Sequence, residues 1–174
     1  MSDRKQVIGT WWRTRIGARN STAARALAAR LNRGEGVDVL AERAVFELGR
    51  DLGFLKQPKR LVLLVRVLAA VREDRGGALP LRLGQGDPPP LSPLRFQRLL
   101  RAEGEELTTL LRRALPMVTR TCDVGALGAD LLDWSDSTRA RWAFAYFGAT
   151  PPARINNSRP TPETPALSDQ ETEE

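Results

Sequence analysis

Histidine is absent from the 174 residues of this chain, and cysteine occurs once, at Cys122. The first absence removes Ser-His-Asp and Cys-His nucleophile pairs, histidine general bases and His-ligated metals together. The second excludes an internal disulfide and a Cys cluster for zinc or iron–sulfur, and it suits a reducing, cytoplasmic setting. Without a histidine partner, Cys122 reads as a structural thiol rather than a nucleophile. Aromatic residues make up only 6% and β-branched alternation is missing, so there is little from which to build a sheet. The longest apolar run, Leu61–Val71, is interrupted by Arg66 and falls well short of the ~20 residues of a bilayer span. No apolar signal-peptide region follows Met1–Lys5, and no membrane partner is expected. The Walker loop, G-x-G-x-x-G after a strand, G-x-S-x-G and H-E-x-x-H are all missing. The acidic pairs Glu105/Glu106 and Asp133/Asp136 read as helix-start and capping groups rather than Mg²⁺ ligands. Expected, therefore, are no catalytic residue, no metal and no cofactor.

What is abundant is Ala, Leu and Arg, all strong helix formers. The pattern predicts helices over Asp3–Ile16, Ser21–Asn32, Val39–Leu52 and Lys59–Asp74, then Leu94–Ala102, Glu105–Leu115, Asp123–Leu132 and Asp136–Phe147. Asn20, Ser21 and Thr22 can each cap the second, Pro58 opens the fourth, Ser92-Pro93 the fifth, and Asp123 caps the seventh. The fourth is apolar almost all round from Leu61 to Val71 and is the candidate central helix. Its Arg66 is then either salt-bridged in the core or aimed into a ligand groove. Trp11, Trp12, Trp134 and Trp142 read as core residues, with one of the adjacent Trp11/Trp12 pair a possible exception. Gly76, Gly77, Pro80, Gly84, Gly86 and Pro88–Pro90 argue against regular structure through most of 75–93. The expectation is an all-α fold of two small helical bundles joined by a Gly/Pro-rich linker. Its parts are an N-terminal half 1–75, the linker 76–91, a C-terminal half 92–148 and a disordered acidic tail 149–174.

Net charge is +6, unevenly spread. Residues 151–174 carry −3, which leaves +9 on residues 1–150. A GC-rich genome explains the preference for Arg over Lys, but not the excess of positive charge. A basic body points to a polyanionic partner. At helical spacing Arg95, Arg98 and Arg101 share one side and Phe96, Leu99 and Leu100 the other, with no acid interleaved in the Arg face. Arg112 and Arg113 form a further pair, and Arg139 and Arg141 flank the approach to Trp142. Lys56, Lys59, Arg60 and Arg66 cluster at the start of the central helix. Such faces suit a phosphate backbone, each contact releasing a counterion; the plainer reading is a scattered, solvated Arg surface.

Leu94-Arg95-Phe96-Gln97-Arg98-Leu99-Leu100-Arg101-Ala102, then Leu110-Leu111-Arg112-Arg113-Ala114, resembles the C-terminal signature of the CasB family. This is the small subunit of the type I-E CRISPR Cascade surveillance complex. The ending Val124…Leu127…Asp130-Leu131-Leu132…Trp134, followed by Arg141–Phe147, is similar as well. So are Trp11-Trp12, Ala44–Leu48, Pro58 before an apolar helix, and Arg82-Leu83-Gly84. The resemblance covers about residues 5–148 in order. It implies an all-helical, non-catalytic subunit, present as a homodimer, that touches the guide-RNA backbone subunits and the large subunit. It also implies a basic surface that stabilises the R-loop by holding the displaced DNA strand beside the guide–target duplex. Lys59, Arg66, Arg95, Arg101, Arg112 and Arg113 match the family's basic positions. Arg60 joins them from the charge cluster, and Arg98 and Arg139 from the helical-face argument. The acidic tail after Gly148 is outside the family pattern and is a candidate competitor for the basic groove. The run Asp87–Pro93 replaces a linker that varies between members. Two other classes are weighed against this reading. A stand-alone DNA-binding regulator would need a recognition helix after a tight turn, and no convincing one is present. A structural adaptor would use its Arg faces on acidic protein partners.

Overall fold

The computed structural model describes residues 2–152, and the tail expected to be disordered lies, from residue 153 onward, outside the described residues. The all-α expectation holds: ten α-helices are accompanied by one two-residue parallel strand pair among these residues. Helix α1 (Ser2–Trp12) runs on into a π-helical turn, Arg13–Gly17. Next comes α2 (Thr22–Arg33), with Ser21 as its cap: its Oγ accepts from the Ala24 N–H at 3.3 Å. The single helix expected over Val39–Leu52 is two, α3 (Gly36–Leu40) and α4 (Arg43–Leu52), and Gly53 ends α4 at φ 70°. Between them Glu42 is extended and keeps its side chain for Arg30.

The central helix α5 (Pro58–Ala70) opens on Pro58 and is buried from Leu61 to its end. It stops four residues short of the Asp74 expected. Val71 turns extended, and Glu73–Asp74 (β1) pairs in parallel with Thr121–Cys122 (β2). The Gly/Pro-rich stretch is also more ordered than its composition suggests, because Leu79–Gly84 forms α6 with Leu79, Pro80 and Leu83 buried. Proline sits in its first turn, where a missing N–H costs nothing. Then follow α7 (Pro93–Arg101), α8 (Gly104–Ala114), a 3₁₀ turn at Leu115–Val118, α9 (Val124–Leu132) and α10 (Asp136–Tyr146). Asp123 caps α9, accepting from the Ala126 N–H at 2.8 Å, and Ser135 caps α10. Ser92 makes no side-chain cap bond to α7.

Helices from before and after residues 76–91 pack on one another: α1 lies on α9, and α5 touches α8 and α9. Their buried side chains form one continuous cluster. All four tryptophans are in it, including both Trp11 and Trp12, so neither of the adjacent pair is exposed. Each indole N–H finds an acceptor: Ala44 O for Trp11 (2.8 Å), Leu68 O for Trp12 (2.9 Å), Ala102 O for Trp134 (3.0 Å) and Asp130 Oδ2 for Trp142 (2.7 Å). The i,i+4 pair Trp142/Tyr146 faces the core, where Tyr146 stacks on Phe96 at 4.0 Å. Among the described residues no helix is long and apolar enough to cross a membrane.

Gly84 marks the tightest approach between α6 and α10. A Cβ there would fall inside the Tyr146 carbonyl oxygen and 2.7 Å from its carbon. Because the obstacle is backbone, it cannot rotate aside. Gly84→Ala is expected to cost about 2 kcal/mol or more through forced separation of the two helices. A thermal melt of the variant checks this, and an unchanged Tm would show that the approach is looser than described.

Candidate nucleic-acid interface

The site begins at the buried C-terminal end of α5, where carbonyls without helical partners must find donors. The Trp12 indole N–H serves Leu68 O. Arg19 Nη2 donates to Ala69 O at 3.3 Å and to Val71 O at 2.9 Å. Asn32 Nδ2 reaches Ala69 O at 3.1 Å, and Arg112 Nη2 in turn donates to Asn32 O at 2.8 Å. A helix C-terminus carries partial negative charge, so cations collect there.

More cations collect than that end can balance. Arg72 follows α5 directly, and its N–H bonds Arg120 O at 2.8 Å. Arg120 is held in the left-handed region at φ 57°, after Thr119 at φ 60°. Two successive non-glycine residues there cost roughly 1–2 kcal/mol each. An open groove of about 280 Å³ is lined by Asn32, Arg66, Glu105, Thr109, Arg112, Arg113 and Arg120. Burial pushes the Arg19 guanidinium below its usual value, and Arg72 and Arg120 push it further. Burial, then Arg66, does the same to Arg112; Glu105 opposes the shift and Arg120 adds to it. These are like charges held close, and the groove is lined by one carboxylate, Glu105.

The residues singled out from the sequence divide by what they touch. Arg66 is buried and donates from Nη1 to both Glu105 oxygens, at 2.8 and 2.7 Å. Its Nε is buried with no partner among the described residues. Arg66 is therefore buried and salt-bridged to the exposed Glu105, and it also lines the groove. Arg112 lies beside it. Arg60 bonds Leu132 O across to α9. Arg98 pairs with Glu106 at 2.9 Å, and Arg139 with Glu103 at 2.6 Å and Asp136 at 3.0 Å. The all-Arg face of α7 is thus not free of acid, because α8 supplies one from the next element. Lys59, Arg95, Arg101 and Arg113 are exposed, with no ion pair among the described residues. Arg19, Arg72 and Arg120 were missed by sequence reasoning. They lie outside any helical Arg stripe, and only the fold brings them to the end of α5.

A family model described as CRISPR-associated protein Cse2 matches residues 22–147. The chain belongs to that family. Cse2 is the same family as CasB, the small subunit of type I-E Cascade, so the resemblance read from the sequence is confirmed. No curated protein and no solved structure matched the chain. The matched span contains every cationic position of the groove and its surroundings except Arg19. A Cse2 subunit has other Cascade subunits as its partners.

The acidic pair Glu105/Glu106 is taken up by Arg66 and Arg98, and Asp136 by Arg139. Cys122 is fully buried, and burial first, then Asp123 and Asp74, push its thiol up to about 12. Two outcomes follow. An unfolded chain releases that proton near its ordinary pKa of 9.0, whereas the folded chain holds it to about 12. Stability is therefore expected to fall as pH rises through that window, and Cys122 to resist a thiol reagent at neutral pH until denaturant is added. Rapid labelling of the native protein would contradict this. Arg19→Met, which takes the side-chain donor from Val71 O and leaves Ala69 O to Asn32 alone, is expected to cost about 1–3 kcal/mol, read as a lower urea midpoint.

Proposed function

We propose that this Cse2-family protein is a non-catalytic, cytoplasmic subunit that stabilises the R-loop of a type I-E effector. Its guanidinium surface would hold the displaced DNA strand and the backbone of the guide–target duplex. The observation that carries the reading is the cationic groove at the end of α5, where Arg66, Arg112, Arg113 and Arg120 line one opening with the single carboxylate Glu105, and Arg19 and Arg72 lie close by. A polyphosphate backbone supplies the missing negative charge, and Arg forks match its oxygens in pairs. Guide pairing reads the sequence in such complexes, so the protein needs only backbone contacts. Exposed Lys59, Arg95, Arg101 and Arg113 extend the surface. Arg66 and Arg112 serve it while also holding the fold, and Arg60, Arg98 and Arg139 join it by exchanging a protein partner for phosphate. The subunit would act as a homodimer, against the guide RNA, the backbone subunits and the large subunit.

Charge reversal tests this in the assembled complex. Arg101→Glu and Arg113→Glu touch no described ion pair, so folding and assembly are expected to persist. Retention of the displaced strand should fall, with the salt slope reduced by about one for each phosphate that is no longer engaged. Arg120→Gly adds a control, since glycine tolerates φ > 0. It should keep Tm near that of the parent while weakening strand retention. Loss of assembly with strand retention intact in the residual complex would favour the adaptor reading, in which these arginines meet acidic protein neighbours.

A further inference from the structure

The same cluster has a second candidate occupant within the chain. Residues 160–174 hold Glu163, Asp169, Glu171, Glu173 and Glu174 and no Lys or Arg, a local charge of −5. These acids follow a body carrying +9. Where α10 ends sets the distance they would have to span. Gly84, at the end of α6, lies against Tyr146, at the end of α10. Gly76, just before α6, has the Arg82 guanidinium against it and Thr121 alongside, and Thr121 is the neighbour of Arg120. Helix α6 is six residues long, about 9 Å. The chain thus leaves α10 roughly one short helix away from the strand pair that Arg72 and Arg120 immediately precede. Glu163 follows Gly148 by 15 residues, a maximum span of about 50 Å, which is several times the length of α6.

We propose that the acidic segment 160–174 binds in cis to the guanidinium cluster of Arg19, Arg72 and Arg120 and competes there with nucleic acid. Tethering raises the segment's effective concentration to the millimolar range. Contacts that are weak one by one then suffice to displace loosely held, non-specific strands, while a strand presented by a formed R-loop, itself tethered, wins the site. The segment acts as a filter that suppresses binding to stray single strands. This rests on the R-loop reading for its competitor, although the contact itself does not.

The test uses the full chain. Glu163→Gln, Asp169→Asn, Glu171→Gln, Glu173→Gln and Glu174→Gln together remove the charge and keep the length. At about 50 mM salt this variant should bind an oligothymidylate roughly three- to tenfold more tightly than the parent, with the gain shrinking as salt shortens the Debye length. A second readout is independent of DNA. Since Cys122 is buried, a nitroxide on Ser168→Cys labels the segment alone. Broadening of the Arg19, Arg72 and Arg120 amide signals, abolished when the acids are neutralised, is the expected result. Broadening that is absent, or that survives neutralisation, overturns the contact. Broadening without any change in a measurable DNA affinity overturns the competition. If neither protein binds DNA yet the broadening behaves as expected, the contact stands and the R-loop reading fails instead.

Discussion

Everything at the candidate interface follows from burying the end of a helix. Because α5 is apolar almost all round from Leu61 onward, it sinks into the core to its end, and its last carbonyls go with it. Carbonyls in such a place need donors, and other segments bring them. Trp12, Arg19 and Asn32 do so, each from a different turn of the N-terminal region. Arg112 then ties α8 to the same point through Asn32. A requirement of packing has thus drawn cations into one place. A neutral side chain such as Asn32 satisfies a carbonyl equally well. Using guanidiniums as donors instead leaves charge to spare, and that surplus is what a polyanion can use.

Arginine here serves two functions, and the sequence does not separate them. On α7, spacing correctly placed Arg95, Arg98 and Arg101 away from Phe96 and Leu99. It had no means of showing that Glu106, on another helix, would meet Arg98. Surface pairs of this kind contribute about 0–1 kcal/mol, so Arg98 can exchange its carboxylate for a phosphate at small cost. Arg66 is different. Its stem is buried and its partner Glu105 stands at the groove's edge, so it holds the core while presenting charge at the rim.

The helices themselves were legible because their signals are local: Ser21 and Asp123 cap where short polar side chains precede apolar periodicity, whereas at α10 the cap is Ser135 and not the acid Asp136 beside it. The misses share a cause. The end of α5 at Ala70 depends on the Arg72 N–H meeting Arg120 O from a distant part of the chain, and no local pattern around Arg72 shows that. Helix α6 was hidden because glycine and proline were read for their propensity alone. Proline in a first turn and glycine at a close approach are compatible with a helix when neighbours reward it, as Leu79 and Leu83 do by burial. Arg120 carries no sequence signal at all, since its backbone conformation is one that glycine normally occupies.

Helix α6 also joins two parts of the core. Arg82, in its last turn, reaches back to lie on Gly76 and donates to Val118 O at 3.2 Å. Two residues on, Gly84 is packed against Tyr146 with no room for a methyl group. The α10 terminus and the strand that follows Arg120 are thus neighbours of the same short helix. The stretch that composition marks as a loose connector is, over Leu79–Gly84, a packed link between them.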